Sequence, residues 1–339
     1  MSAVSAAFLS TPPCAELHLH IEGTLEPAMV LALAEKHGIT PAAPDVDAFA
    51  ALYDFTDLSH FLSLYYANTD VLRDAEDFAD LTRAYLRRAA DGGVMHAEIM
   101  FDPQAHLGRG IPLAAVVEGI AAGLADGERE LGVTTGLIAA FLRDRPAAEA
   151  DAVLTELLDL EAPLLGIGLD SAEVGYPPVL FRDLFARAAS LGLHRVAHAG
   201  EEGPPEYVTG ALDLLGAERI DHGIRSVEDS RLVVRLAEQR VPLTVCPLSN
   251  VRLRAVDSLA AHPLVEMMRR GLVVTVNSDD PAYFGGYVDD NYAALAAQFG
   301  LARDDLATLA LNSVEASFAS PDRKSAMRAV VEEWRTAQV

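Results

Sequence analysis

The chain has 339 residues, 51% of them hydrophobic and 22% charged, so most of it can fold around a core and long disordered regions are excluded. Its 50 acidic residues outnumber its 26 basic ones and give a formal net charge of −24. This charge argues against nucleic acid or an anionic membrane surface as a partner, because both are polyanions, and it suits a neutral or cationic small ligand.

The N-terminal segment and the cysteine content indicate where the protein works. Residues 1–13 lack the basic region of a signal peptide, and no apolar run approaches the ~20 residues that a membrane-spanning helix needs. The two cysteines, Cys14 and Cys246, are too few for a disulfide scaffold. We therefore expect a cytoplasmic protein in which residues 1–13 are flexible.

Short apolar runs alternate along the chain with stretches of helical periodicity. Nearly continuous apolar runs are typical of parallel strands buried on both faces. In the stretches between them apolar residues recur at intervals of three and four, as in 77–92, 114–132, 179–192 and 230–240. The predicted strands are 15–21, 94–101, 134–141, 164–171, 194–200, 219–224, 241–247 and 272–280.

Eight such alternations predict an α/β fold, a (β/α)8 TIM barrel that forms a single domain over residues 1–339. The segment 25–90 is too long for one crossover, so we expect extra helices at the barrel mouth. The aromatic residues of 42–70 fit equally a lid over a bound ligand and simple packing on the rim. Residues 318–339 are expected to form a C-terminal helix on the outside of the barrel.

Polar side chains lie at the predicted C-terminal ends of the strands, which form the catalytic face of such a barrel. His18 and His20 are two residues apart, so both can point to the same face of a strand. His198 and Asp279 end two other strands. Three imidazoles and one carboxylate fit a zinc site with an open position for water.

Other candidates receive weaker interpretations. His96 and Glu98 are also placed at a strand end, where they are expected to orient neighbouring groups. A site with two metal ions is the nearest chemical alternative, with Glu173 available as a bridging carboxylate. The carboxylated lysine that often bridges such metals has no candidate, because the only lysines, Lys36 and Lys324, lie outside the predicted strands.

Five motifs occur in an order and at spacings that resemble the adenosine/adenine deaminase family of zinc hydrolases. The resemblance covers about residues 14–320 and implies a barrel of the metal-dependent hydrolase type. It also implies one Zn²⁺ per chain, held by His18, His20, His198 and Asp279. The motifs are HLHIEG (18–23), HAGEE (198–202), DHGIR (221–225), CPLSN (246–250) and SDDPAYFGGY (278–287).

The resemblance also implies the roles of other residues in a hydrolytic deamination. Zinc-bound hydroxide would add to C6 of a purine, and ammonia would leave from a tetrahedral intermediate. Glu201 would donate a proton to N1, which requires that burial raise its pKa. His222 would orient the water, take its proton or stabilise it electrostatically. Asp280 would accept or share a hydrogen bond at N7, and Gly175 would approach the ring near N3.

The substrate is expected to be adenine, which would be converted to hypoxanthine and ammonia in purine salvage. Glu22 stands where the nucleoside branch of the family has Asp, and its extra methylene would fill the space of a ribose. The segment EEGPPEY (201–207) also resembles the free-base branch.

Several alternatives stay open at the level of the sequence. The activity could be that of an adenosine deaminase or of a deaminase of a larger N9-substituted adenine, such as aminodeoxyfutalosine. A purine-binding relative without catalysis is disfavoured, because every ligand and acid position is filled. His37, His60 and His262 are expected to be structural or exposed. The oligomeric state is left open, and a homo-oligomer is compatible with the sequence.

Overall fold

The computed structural model of the chain describes residues 11–337. The strands of its barrel are all parallel, and each strand pairs with the next one in sequence order. The predicted (β/α)8 barrel is confirmed. The strands are β1 (Cys14–Glu16), β2 (Val94–Phe101), β3 (Thr134–Leu142), β4 (Leu164–Asp170), β5 (His194–Ala199), β6 (Arg219–His222), β7 (Pro242–Val245) and β8 (Val273–Val276).

The barrel closes beyond the regular ends of β1 and β8. Leu19 forms an isolated parallel bridge with Asp279. The backbone N–H of His20 donates to the carbonyl of Asp279 at 3.0 Å, and the N–H of Asp279 donates to the carbonyl of His18 at 3.1 Å. The residues that complete the barrel are therefore also the candidate metal ligands, which gives their backbone little freedom to move.

The described residues also contain sixteen α-helices. The helices are α1 (Pro27–His37), α2 (Val46–Leu52), α3 (Leu58–Asn68), α4 (Ala75–Asp91), α5 (Pro103–Gly108), α6 (Leu113–Leu131), α7 (Ala147–Asp159), α8 (Arg182–Ser190), α9 (Pro205–Gly210), α10 (Ser230–Gln239), α11 (Pro247–Arg252), α12 (Leu264–Arg269), α13 (Pro281–Phe284), α14 (Val288–Phe299), α15 (Arg303–Ala316) and α16 (Pro321–Thr336). Each of the four helical stretches predicted from periodicity overlaps one of them, α4, α6, α8 or α10.

Helices α1–α4 occupy the long segment between β1 and β2, and α16 ends the described chain. Helix α4 begins with a capping box, in which Asp74 and Asp77 each accept the other's backbone N–H. Within residues 11–337, no helix is both long enough and apolar enough to cross a membrane. The prediction of flexibility over 1–13 falls mainly on residues 1–10, which lie outside the described part. The assignment of 1–339 to one domain stays a prediction.

A buried ion pair closes the bottom of the barrel. Arg219, the first residue of β6, donates to a carboxylate oxygen of Glu98 at 2.6 Å, and neither side chain is exposed. The guanidinium also donates to the carbonyls of Leu17 at 3.1 Å and Ala316 at 3.2 Å. The ring of Phe318 covers it, with Arg219 Cζ 4.5 Å from the ring centroid, and the Phe318 N–H donates to Glu98.

The placement of His96 and Glu98 at the catalytic end of a strand is wrong. β2 is eight residues long, and its register pairs His96 with Thr134, the first residue of β3. His96 Nε2 lies 3.2 Å from Glu98, so both belong to the network at the bottom of the barrel. Burial opposes ionisation of Glu98, but Arg219 outweighs it and lowers the pKa of Glu98 to about 2. The ionised Glu98 therefore stabilises the fold above pH 4.5, and this stabilisation is lost as the pH falls toward 2.

Replacing Arg219 with Met is expected to lower the free energy of unfolding by about 3–5 kcal/mol, because it leaves a buried carboxylate without its cation. Urea denaturation at neutral pH measures the change. The matched control is Arg328→Met, which breaks an ion pair with Glu315 whose side chains are nearly half exposed. That pair should contribute at most about 1 kcal/mol. Equal losses in the two variants would contradict the role given to Arg219.

Candidate active site

Three imidazole nitrogens and one carboxylate oxygen meet at the open end of the barrel. His18 Nε2 lies 3.1 Å from His198 Nε2 and 3.3 Å from Asp279 Oδ1. His20 Nε2 lies 3.3 Å from His198 Nε2 and 3.6 Å from the same Asp279 oxygen. The ligand atoms of an ion bound tetrahedrally at about 2.0–2.1 Å are roughly 3.4 Å apart, so these spacings match a zinc shell.

The hydrogen-bond partners of the rings show that this cluster fits a cation. His18 Nδ1 lies 3.1 Å from the Thr244 carbonyl, which can only accept, so Nδ1 carries the proton and Nε2 a lone pair. His198 Nδ1 faces Asp221 Oδ2 at 3.5 Å. Burial, together with His18, lowers the pKa of His198 to about 4, so this ring is neutral near pH 7. The Nε2 atoms of His18 and His198 lie 3.1 Å apart, close enough for both to bind one cation.

Carboxylates surround the outer nitrogens of these rings. Burial opposes ionisation of Asp221, but His18 and His198 outweigh it and hold the pKa of Asp221 below its usual range. His20 Nδ1 lies 3.6 Å from both Asp102 Oδ1 and Asp170 Oδ2. Carboxylates in this position orient histidine ligands and strengthen their donation to a metal.

An unusual backbone conformation lets two adjacent aspartates reach the same cavity. Successive residues of a regular strand face opposite ways, but Asp279 has φ 65°, in the left-handed region. Asp279 and Asp280 therefore both line the cavity. Ser249 Oγ donates to Asp279 Oδ2 at 2.6 Å and fixes the carboxylate. His222 shares the strained conformation, with φ 62°, which is a feature that concentrates at functional sites.

Glu201 lies beside this cluster and is buried. Its Oε2 is 3.5 Å from His222 Nε2. Burial, followed by the charges of Asp279 and Glu173, raises the pKa of Glu201 well above its ordinary value of 4.5. A carboxyl group in this environment keeps its proton near neutral pH and can act as an acid.

The carboxylate of Glu173 holds the loop that carries Glu201. It accepts hydrogen bonds from four consecutive backbone N–H groups, those of residues 200–203, at 2.7 to 3.1 Å. Sequence reasoning assigned Glu173 only a bridging role between two metal ions. The structure instead makes it an anchor for the HAGEE loop, and no local pattern links position 173 to positions 200–203.

Replacing Glu173 with Gln is expected to lower kcat about 10- to 100-fold with a smaller change in KM. The single amide oxygen of Gln can accept hydrogen bonds from only some of the four N–H groups, so Glu201 would lose its fixed position. Small displacements of catalytic groups lower rates by factors of this size. Steady-state kinetics measure the two parameters. The control is Glu202→Gln, which removes a partly buried neighbouring charge but keeps the anchor. A loss that appears only in KM would show that Glu173 does not position the acid.

These groups line a cleft with about 400 Å³ of space, part of it open to solvent. Helix α3 covers the cleft with apolar and aromatic side chains. The helical spacing of these residues fitted both a cover and simple packing, and the structure shows that they contact the cavity. The lining residues are His20, Leu58, Phe61, Leu62, Tyr65, Tyr66, Asp102, Asp170, Ser171, His198, Glu201, His222, Leu253, Asp279 and Asp280.

Several polar atoms of the cleft have no hydrogen-bond partner among the residues that the structure describes. They belong to Asp102, Asp170, Ser171 and Asp280. Burial, followed by Asp279 and Asp102, raises the pKa of Asp280 well above its ordinary value. Leaving buried polar atoms without partners costs free energy, so the cleft is suited to a ligand with several hydrogen-bonding atoms.

Two residues that were predicted to contact the substrate, Gly175 and Glu22, do not line the cleft. Gly175 lies on an exposed part of the loop after β4, with φ 92°, and does not line the cavity. This loop turns outward at Gly175, while Ser171 supplies its contact with the cavity. The contact of Gly175 with a bound ring stays a prediction that this geometry does not support.

Glu22 is fully buried but is held behind the cleft. It accepts hydrogen bonds from His106 Nε2 at 2.6 Å and from the backbone N–H of Asp102 at 3.1 Å. Burial opposes ionisation, but the bond from His106 outweighs it and lowers the pKa of Glu22. Arg109 donates to His106 Nδ1 at 2.6 Å, which fixes the proton of His106 on Nε2. Sequence reasoning gave His106 no role.

Comparisons with known proteins agree with this geometry. The family model described as "Adenosine deaminase" matches residues 13–334. The adenine deaminase of Streptomyces coelicolor is 56% identical over 324 residues, which is 94% of each chain. The crystal structure of adenine deaminase from Arthrobacter aurescens is 59% identical with a TM-score of 0.95, and the match covers 96% of this chain and all of that one.

A more distant solved structure is an amidohydrolase from Burkholderia ambifaria with bound Zn. It is 31% identical, with a TM-score of 0.89, and the match covers 98% of this chain and 93% of that one.

Proposed function

Because the chain belongs to the adenosine deaminase family, we propose that it is a zinc-dependent aminohydrolase that converts adenine to hypoxanthine and ammonia. One observation carries the proposal: three imidazole nitrogens and a carboxylate oxygen converge, at a spacing that fits a cation, beside Glu201, a buried acid with a raised pKa. The named adenine deaminases among the similar chains support adenine as the substrate.

His18, His20, His198 and Asp279 would hold one zinc ion per chain. The spacing of their ligand atoms and the Zn in the Burkholderia amidohydrolase support this assignment. A zinc ion held there would lower the pKa of water from 15.7 toward about 7 and would so supply hydroxide at neutral pH. The donor set, three imidazoles and a carboxylate, favours zinc over the harder cations.

The other groups of the cleft would act on the purine ring. Addition at C6 places negative charge on N1, and the protonated Glu201 would supply the proton there. Asp280 would share a hydrogen bond with N7, because its carboxyl has an unpartnered oxygen in the cleft. The α3 residues Phe61, Tyr65 and Tyr66 would cover the base and exclude water.

We propose that Glu22 favours the free base over the nucleoside by acting through Asp102. Glu22 itself stays behind the cleft, but it accepts the backbone N–H of Asp102, whose carboxyl lines the cavity. The longer Glu side chain would thus hold Asp102 at the cavity, and the Asp102 carboxyl would exclude a ribose. A steric exclusion of this kind gives large discrimination between substrates.

The proposal is tested by the loss of 6-aminopurine absorbance with zinc-loaded protein, run in parallel on adenine, adenosine and a larger N9-substituted adenine. Rapid conversion of adenine without conversion of the other two is expected. Conversion of adenosine at a comparable kcat/KM would overturn the free-base assignment and the role of Glu22. Conversion of the larger N9-substituted compound alone would show that the cleft accepts a substituent at N9.

We further propose that the enzyme works in the cytoplasm in purine salvage, as a single domain over residues 1–339. The two cysteines are both unpaired and buried, which suits a reducing compartment.

A further inference from the structure

A chain of buried hydrogen bonds leads away from His222 on the side opposite the cleft. His222 Nδ1 lies 3.2 Å from the side-chain nitrogen of Asn250. The side-chain oxygen of Asn250 lies 3.1 Å from His262 Nε2. His262 Nδ1 in turn lies 3.1 Å from the backbone nitrogen of Leu264. All three side chains are at most 4% exposed, so water does not compete for these bonds.

The donor and the acceptor of each hydrogen bond in this series can be worked out from the bond that is farthest from His222. The backbone N–H of Leu264 can only donate, so His262 Nδ1 accepts. Burial lowers the pKa of His262 to about 4, so the ring is neutral and its single proton is on Nε2. That N–H donates to the Asn250 oxygen, which turns the Asn250 amide nitrogen toward His222. Because an amide NH₂ only donates, His222 Nδ1 must accept.

The remaining ring nitrogen of His222 therefore carries the proton and faces the cleft. Its neighbours there are Glu201 Oε2 at 3.5 Å and Asp279 Oδ2 at 3.8 Å. Under the proposed function, an oxygen that attacks C6 would approach near these two carboxyl groups, because one holds the metal and the other supplies the proton. An N–H pointing there can donate a hydrogen bond to that oxygen but has no lone pair with which to take its proton.

We propose that Asn250 and His262 are positioning residues that hold His222 as the tautomer protonated on Nε2. The inference rests on the proposed deamination for its effect on rate, but the tautomer itself is independent of the substrate. Of the roles that the sequence left open for His222, this arrangement selects hydrogen-bond donation to the attacking oxygen. Donors held in place for developing charge contribute factors of about 10²–10³ to kcat.

The first test measures the tautomer directly in zinc-loaded protein with ¹⁵N-labelled histidine. Two-dimensional NMR distinguishes a protonated ring nitrogen from one that bears a lone pair, and the His222→Asn spectrum identifies the signals of His222. We expect a protonated Nε2 and an unprotonated Nδ1. The opposite pattern in the wild-type protein would overturn the proposal, whatever the protein does with adenine.

The second test uses Asn250→Asp to reverse the donor and acceptor roles in this series of hydrogen bonds. A carboxylate accepts from both neighbours, so His222 should move its proton to Nδ1 and lose the N–H that faces the cleft. We expect the NMR pattern to invert and kcat for adenine to fall about 100-fold, with KM changed less than threefold. An unchanged NMR pattern or an unchanged kcat in this variant would contradict the proposal.

The matched control is His262→Gln. The Gln side-chain amide can still donate to the Asn250 oxygen, so the direction of the chain is kept. We expect the wild-type tautomer of His222 and a kcat within about fivefold of wild type. Inversion of the tautomer in this variant would show that His262 does not act through donation to Asn250. If adenine is not a substrate at all, the NMR results still decide the tautomer, so failure of the proposed function is distinguishable.

Discussion

Replacing Glu201 with Gln is expected to reduce turnover of adenine by about 10²–10⁴-fold while one metal ion per chain is retained. Gln has nearly the shape of Glu but cannot transfer a carboxyl proton to N1, and general acids contribute factors of this size. None of the candidate ligand atoms belongs to Glu201, so the metal site should survive. Kinetic assays combined with metal analysis of the same preparation measure both results.

The control for this variant is again Glu202→Gln, because residue 202 follows in the same loop and is only partly buried. A kcat of the Glu201 variant within twofold of wild type would remove Glu201 from the mechanism. The pH dependence provides a second check. In the proposed mechanism the active form of Glu201 is protonated. Because burial raises the pKa of Glu201, kcat should hold through neutral pH and fall once the pH passes that raised pKa.

Replacing His18 with Ala is expected to abolish both metal binding and turnover. Its Nε2 lies 3.1 Å from His198 Nε2 and 3.3 Å from Asp279 Oδ1. Removing it leaves too few donors for a stable site. Metal content after dialysis against buffer free of chelator, followed by assay with added Zn²⁺, measures the effect. His60→Ala replaces an exposed histidine and should keep one ion per chain.

The same measurement of metal content shows whether His20 or His222 is the third histidine ligand. A ring nitrogen of His222 also lies within 4.8 Å of ligand atoms of His18, His198 and Asp279. With His20 as a ligand, His20→Ala loses the metal and His222→Ala keeps it. The reverse result would assign His222 to the metal and would withdraw the role proposed for it as a hydrogen-bond donor.

The alternation of apolar runs and helical stretches was enough to predict the barrel, because each strand of this fold is locally recognisable. The prediction for β2 matches the structure at both ends, 94–101. The predicted first and last strands are too long, because the closing residues 18–20 and 279 pair as an isolated bridge rather than as regular strands. Local periodicity does not distinguish these two kinds of pairing.

The residues that sequence reasoning missed act over distances that no local pattern reports. Glu173 accepts hydrogen bonds from a loop 27 to 30 positions away. His262 forms a hydrogen bond with Asn250, which lies in a different segment of the chain. His96 and Glu98 were misplaced because the register between β2 and β3, rather than the composition of β2, decides which end of the barrel they occupy. Motifs identified the groups that could perform chemistry, but the contacts that orient those groups required the fold.

The network at the bottom of the barrel has a consequence for how the protein is made. Arg219 joins the carbonyl of Leu17 to that of Ala316, and Glu98 accepts the N–H of Phe318. The longest of these contacts spans 220 positions, and its last partner, Phe318, is near the C-terminus. During synthesis from the N-terminus, Glu98 and Arg219 therefore emerge long before Phe318 can cover them. Contacts of such high sequence separation form late, so the nascent barrel stays open at its base until its final helices are released.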